Sequence, residues 1–153
     1  MSATQNVEIG CQRVASSGTQ LCARGVGPCL VVSVWDGDRR EGGLAHLPLP
    51  RRRDSGAPAE CFVDSGLARL IQRLRSSGSP LEALEVRAAG AAEILRRPGE
   101  AGVRSTLAAC NLEALQVTLE RLGLQLAGAD IGGDRARNVV FEVETGLLHV
   151  TTL

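Results

Sequence analysis

The chain has 153 residues, 44% of them hydrophobic, with seventeen acidic side chains against seventeen basic ones. That length suits a single domain over residues 1–153, burying roughly 70% of the surface its unfolded form would expose, and the charge balance leaves no net field toward nucleic acid or an anionic membrane. Every basic residue is arginine, which excludes a Schiff-base lysine and a phosphate-loop lysine.

In chain order, the first residues carry neither a basic start nor an apolar run, and no later stretch approaches the ~20 apolar residues of a membrane span, so a cytoplasmic protein is expected. Val7 to Arg13 has weak strand character, and Ser16-Ser17-Gly18 signals a turn. Gly25-Val26-Gly27-Pro28-Cys29 forms a glycine-rich turn. Leu30-Val31-Val32-Ser33-Val34-Trp35 follows, an apolar, β-branched run that reads as a buried strand ended by Asp36-Gly37-Asp38. The chain returns through Gly42 and Gly43 to His46, and Arg51 to Pro58 reads as a polar loop.

Leu67, Leu70, Ile71 and Leu74 recur at helical spacing between Asp64 and Ser76, with Asp64 as the expected cap and Gly78 and Pro80 as the stop. Leu81 to Arg87 is ambiguous between helix and strand. Leu112, Leu115, Leu119 and Leu122 mark a second helix, with Asn111 as the expected cap and Gly123 as the terminator. Leu124 to Leu126 and Arg137 to Val143 read as strands, and Glu144-Thr145-Gly146 turns the chain into a final hairpin strand, Leu147 to Thr151. Two helices among six or seven strands, with much antiparallel pairing, argue for a layered α+β domain.

The five cysteines, Cys11, Cys22, Cys29, Cys61 and Cys110, are odd in number and lack the close paired spacing of zinc sites, so reduced thiols are expected. With only His46 and His149, a histidine-rich metal centre is not expected either, and neither is any cofactor. Cys29 stands out because a turn presents it and a histidine follows on the next segment. A thiol with a pKa of about 8.5 is only slightly ionised at neutral pH, so a nucleophilic cysteine needs a base such as His46. The bland alternatives are a small buried hydrophobe at Cys29 and a satisfied core histidine at His46. His149, on the last strand, is expected to be structural or solvent-facing.

The order of these pieces resembles the CheD family, the chemoreceptor glutamine deamidases of bacterial and archaeal chemotaxis. The resemblance rests on the Gly25 to Cys29 turn, Gly43-Leu44-Ala45-His46-Leu47-Pro48-Leu49-Pro50, Asp64, Ala89-Gly90-Ala91, Asn111, Asp130 to Arg137, and Glu144-Thr145-Gly146. It implies a three-layer α/β/β fold of the cysteine-hydrolase type. It also implies conversion of receptor glutamines to glutamates with release of ammonia, with Cys29 as nucleophile and His46 as general base and acid. Cytoplasmic receptor helices would be the substrate, and a CheC-type phosphatase a further partner.

Three departures accompany the resemblance. Ala23 stands where the family has a threonine that would orient the histidine, and Ser33, on the face of Cys29 if the strand runs unbroken, is the candidate substitute. Pro28 stands where serine is usual and removes one amide donor. Gly90-Ala91 replaces a pair of glycines, and Cys110 replaces an arginine before Asn111. From these departures an alternative function follows: a catalytically impaired module that binds a chemotaxis phosphatase or receptor.

Overall fold

A computed structural model describes residues 3–53, 56–94 and 106–153. Among them the strands are β1 (Ala3–Asn6), β2 (Gln12–Ser16), β3 (Thr19–Val26), β4 (Leu30–Asp36), β5 (Glu41–Leu47), β6 (Leu84–Gly90), β7 (Leu126–Ile131), β8 (Arg137–Glu142) and β9 (Leu148–Thr152). The α-helices are α1 (Val63–Ser76) and α2 (Leu107–Leu122). Strands β1-β3-β8-β9 make one sheet and β2-β5-β4-β6-β7 the other. Pairing is antiparallel except for β1 with β3 and β6 with β7.

The run Leu30–Asp36 is mostly apolar because both of its faces are covered. Leu30, Val32 and Val34 pack with Leu67, Leu70 and Leu74 of α1 and with Ala108, Ala114, Leu115 and Leu119 of α2. Val31 packs instead with Leu21, Ala23 and Val26 of β3 and with Val139 and Phe141 of β8. The helices therefore lie on one side of the five-stranded sheet and the four-stranded sheet on the other, an α/β/β sandwich in three layers.

Helix α1 buries the predicted stripe, each of Leu67, Leu70, Ile71 and Leu74 contributing about 1.5–3 kcal/mol of gross burial energy. Two glycines set how closely it approaches β5. A Cβ on Gly43 would come within 2.5 Å of Leu70 Cδ1, and one on Gly66 within 2.6 Å of Leu47 Cδ2. The helix thereby presses on the strand that carries His46.

Several expectations are revised. Of Val7 to Arg13, only Gln12 and Arg13 are strand, as the start of β2; Val7 to Cys11 is the connection from β1 in one sheet to β2 in the other. The Asp64 carboxylate does not cap α1; its Oδ1 accepts from Ser65 N (2.7 Å) and from Arg52 N (2.9 Å), anchoring the arginine loop, of which Asp54 and Ser55 lie outside the described residues. Leu84 to Gly90 resolves as strand β6 after a single 3-10 turn at Leu81–Ala83. Helix α2 begins at Leu107, capped by the Thr106 side chain, which accepts from Ala109 N, and Asn111 lies inside it. Gly123 ends α2 in the left-handed conformation, as its position suggests.

Candidate active site

Strand β3 ends at Val26 and β4 begins at Leu30, so Gly27-Pro28-Cys29 is a short link at the end of the interface between the sheets. Three consecutive carbonyls of this link are held. Gly27 O accepts from Ala92 N (2.9 Å), Pro28 O from Asn111 Nδ2 (2.8 Å), and Cys29 O from Ala91 N (2.8 Å). The chain passes so close to Gly90 that a Cβ there would collide with the Cys29 carbonyl oxygen. Gly90 and Ala91 both have positive φ, 111° and 53°, and this double left-handed turn directs the Ala91 and Ala92 amides onto the link.

The Cys29 side chain is half-buried and packs against the inter-sheet core. Burial pushes its thiol above the usual 9.0, an effect partly offset by the amide hydrogen of Cys29 itself. The resting cysteine is therefore a neutral thiol.

His46 lies on β5 directly across from Val31 of β4, and Val31 and Cys29 face the same inter-sheet core. Alternation along the strand puts the imidazole and the sulfur on one sheet face in diagonal positions, where Cα atoms are about 7–8 Å apart and long side chains can meet. The ring is 1% exposed. Its Nδ1 lies 3.2 Å from Val7 O. A carbonyl only accepts, so Nδ1 carries the hydrogen and Nε2 of the neutral ring holds a lone pair. Nε2 is buried and makes no hydrogen bond among the described residues.

Burial lowers the His46 pKa below 6.5, against the opposing influence of the Val7 carbonyl and the Glu8 charge. At neutral pH the ring is thus an uncharged base on the sheet face of Cys29, with no hydrogen bond between its Nε2 and the sulfur. Main-chain bonds on both sides, His46 N to Cys11 O (3.0 Å) and Gly10 N to His46 O (2.8 Å), fix the residue further.

The residue that orients the ring is therefore reached through the backbone of Val7. Ser33, 1% exposed and opposite Leu44, is diagonal to His46 on the other side of Val31 from Cys29, but the ring nitrogen that an orienting group would hold is taken by Val7 O. Ala23 is likewise 1% exposed, opposite Val139 within the inter-sheet core. No sequence signal points to Val7, because any residue supplies a carbonyl. Asn111 could have been found: with Ala108, Leu115 and Thr118 it occupies the buried stripe of α2, an unusual place for a carboxamide.

The other candidates lie elsewhere. Cys22 alternates with Leu21 and Ala23 and so points away from the inter-sheet core that receives Cys29. His149 pairs with Glu142 on the surface of the final hairpin (3.3 Å). Among the described residues, no cluster of three or more histidine, cysteine or acidic side chains is arranged to hold a metal ion.

Residues 47–152 match the family model for CheD, described as chemotactic sensory transduction. The chain belongs to the CheD family. Its CheD relatives align over nearly all of it, including the segments of Cys29 and His46. The chemoreceptor glutamine deamidase CheD of Thermotoga maritima is 31% identical over 94% of this chain and 88% of its own. The Haloarcula marismortui protein named probable chemoreceptor glutamine deamidase CheD is 30% identical over 95% of this chain and 84% of its own. A Geobacter metallireducens protein with the same designation, CheD 2, is 32% identical over all of this chain and 96% of its own.

Proposed function

We propose that this CheD-family protein deamidates glutamine side chains of chemoreceptors, with Cys29 as nucleophile and His46 as general base and then acid. The observation that carries the reading is His46 itself. It is buried on the sheet face of Cys29, its Nδ1 is committed to the Val7 carbonyl, and its Nε2 has no hydrogen-bond partner among the described residues. A core histidine with a merely structural role would be expected to have both ring nitrogens satisfied.

In the first half-reaction Nε2 takes the Sγ proton as sulfur bonds to the carboxamide carbon, and the carbonyl oxygen gains the negative charge. The C–N bond then breaks, the nitrogen receives the proton from Nε2, and ammonia leaves a thioester. In the second half His46 takes a proton from water, the resulting hydroxide attacks the thioester, the C–S bond breaks, and the thiol is restored beside a glutamate. Each proton removed is returned, so no cofactor enters. Both partners start uncharged, which suits a base that moves the proton as the C–S bond forms.

The missing threonine hydroxyl at Ala23 does not leave the ring unanchored, since the Val7 carbonyl fixes the tautomer a base requires. That supports an active enzyme over a binding-only module. The site of action would be the cytoplasmic part of the receptors. A CheC-type phosphatase is the further partner the resemblance implies, and co-elution of the two purified proteins tests it.

The test of the activity is mass spectrometry of chemoreceptor cytoplasmic fragments incubated with wild type, Cys29→Ala and His46→Ala. Wild type should produce the amide-to-acid mass gain with matching ammonia, and neither variant should. Turnover that survives Cys29→Ala would refute the assignment. No turnover by wild type, where a relative is active on the same fragments, would favour the binding module.

A further inference from the structure

We propose that Asn111 is a positioning residue for this reaction, acting on the oxyanion rather than on the sulfur: by holding the Pro28 carbonyl from the helix layer, it aims the amide hydrogen of Cys29 at the reacting centre. The proposal rests on Cys29 being the nucleophile, as set out above.

Asn111 is fully buried on α2, and its Nδ2 donates to Pro28 O (2.8 Å) and to Pro48 O (3.3 Å). Both partners are carbonyls, so the two amide hydrogens must be the donors and the orientation of the carboxamide is settled by chemistry. One side chain thereby ties the residue before Cys29 to the residue two places after His46. Its Oδ1 is buried with no hydrogen-bond partner among the described residues. A carboxamide kept in an apolar layer with half its capacity unused is costly, and its retention calls for a reason beyond packing.

Geometry supplies one. Pro28 O and Cys29 N–H belong to the same peptide, whose plane makes them point in opposite directions. Drawing the oxygen toward α2 turns the hydrogen away from the helices, toward the sheet face where Cys29 packs with the inter-sheet core. The flanking carbonyls are pinned by Ala92 N and Ala91 N, so the plane cannot swing freely. Pro28 has no amide hydrogen of its own, which leaves the Cys29 N–H as the donor of this link nearest the sulfur. That this hydrogen does reach the sulfur is consistent with its offsetting influence on the thiol. An oxygen that becomes an oxyanion beside the new C–S bond would meet the same donor.

The experiment compares wild type, Asn111→Ala and Asn111→Asp in two assays: receptor-fragment deamidation, and alkylation of Cys29 by iodoacetamide followed by peptide mass spectrometry. Alkylation displaces iodide at carbon and develops no oxyanion, so it reads the sulfur and His46 and not the oxyanion. Losing one oxyanion donor lowers kcat by about 100-fold or more. Asn111→Ala should show that fall with KM little changed, while the alkylation rate, which feels this amide only through its partial offset of the thiol's burial, should fall far less. Asn111→Asp has nearly the shape of asparagine and covers the case in which the alanine variant does not fold. Its neutral acid form still offers one hydrogen, so its kcat relative to wild type should rise as pH is lowered. Alkylation falling in step with kcat would overturn the proposal, because Asn111 would then be holding the whole link. So would an unchanged kcat. Turnover that persists in Cys29→Ala is a different outcome, which removes the nucleophile assignment and this proposal together.

Discussion

Substituting Gly90 by alanine should be among the most damaging single-methyl changes available to this protein, whereas substituting its neighbour Ala91 by glycine should be nearly silent. At Gly90 φ is 111°, a conformation L side chains rarely adopt and one that costs of order 1–3 kcal/mol for alanine. The added Cβ would also collide with the Cys29 carbonyl oxygen and lie 2.8 Å from Val26 Cγ1. Backbone cannot yield as a flexible side chain can, so overpacking adds about 1–3 kcal/mol, for a total of about 2–6 kcal/mol. For a domain of this size that lowers Tm by about 4–24 °C, and relief by displacement would move the Cys29 link and reduce kcat.

At Ala91 the terms oppose each other. Glycine relieves about 1–2 kcal/mol of left-handed strain at φ 53° but gives up ~0.8 kcal/mol of methyl burial and a further 0.4–1 kcal/mol or so through the freer unfolded chain. The net lies within about 1 kcal/mol of zero. Thermal unfolding with kcat measured on the same preparations decides the matter. A Gly90→Ala protein with unchanged Tm and unchanged kcat would refute the account of the link. So would an Ala91→Gly protein destabilised as strongly as Gly90→Ala.

Three further outcomes are expected. Because burial holds the Cys29 thiol above 9.0, less than about 1% is thiolate at pH 7, and the alkylation rate should still be climbing with pH beyond 9.0; a plateau at neutral pH would instead reveal a thiolate–imidazolium pair. His46 has a folded pKa lowered below 6.5, so between that lowered value and 6.5 the unfolded chain binds more protons, and stability should fall as pH drops through the window. In urea titrations His46→Gln should lack that loss, and kcat/KM of wild type should have its acid limb below 6.5. Ala23→Thr should lower stability by about 1–3 kcal/mol, since Ala23 is packed between the sheets, and should raise kcat little because the Val7 carbonyl already anchors the ring. A tenfold gain in kcat would show that the hydroxyl was limiting.

The elements legible in the sequence are those whose burial is written into side-chain periodicity. Leu30 to Asp36 is covered on both faces and so is mostly apolar, and α1 is covered on one face and so repeats every three to four residues. That Cys29 and His46 share one sheet face was readable because the chain returns antiparallel through Gly42 and Gly43. The start of α2 was misplaced because its leucine repeat begins only at Leu112, while the first turn is built on Thr106 and alanines. Asn111 was misread for the same reason: asparagine before a leucine repeat looks like a cap, and only the positions of Pro28 and Pro48 reveal what its amide holds. The orienting carbonyl of Val7 was invisible, since a backbone atom leaves no trace in residue identity.

Val7 follows β1, whose side chains are all exposed and which hydrogen-bonds along one edge only, to β3. The carbonyl that anchors the His46 ring therefore follows a strand held to the fold by main-chain pairing, Val7 itself being buried between the sheets. Whatever competes for that edge, including an affinity tag fused at Met1 or a partner chain adding its own strand, would tug on the imidazole without touching the sulfur. Preparations that differ only in the placement of a purification handle would then differ in turnover while their Cys29 labelled equally well.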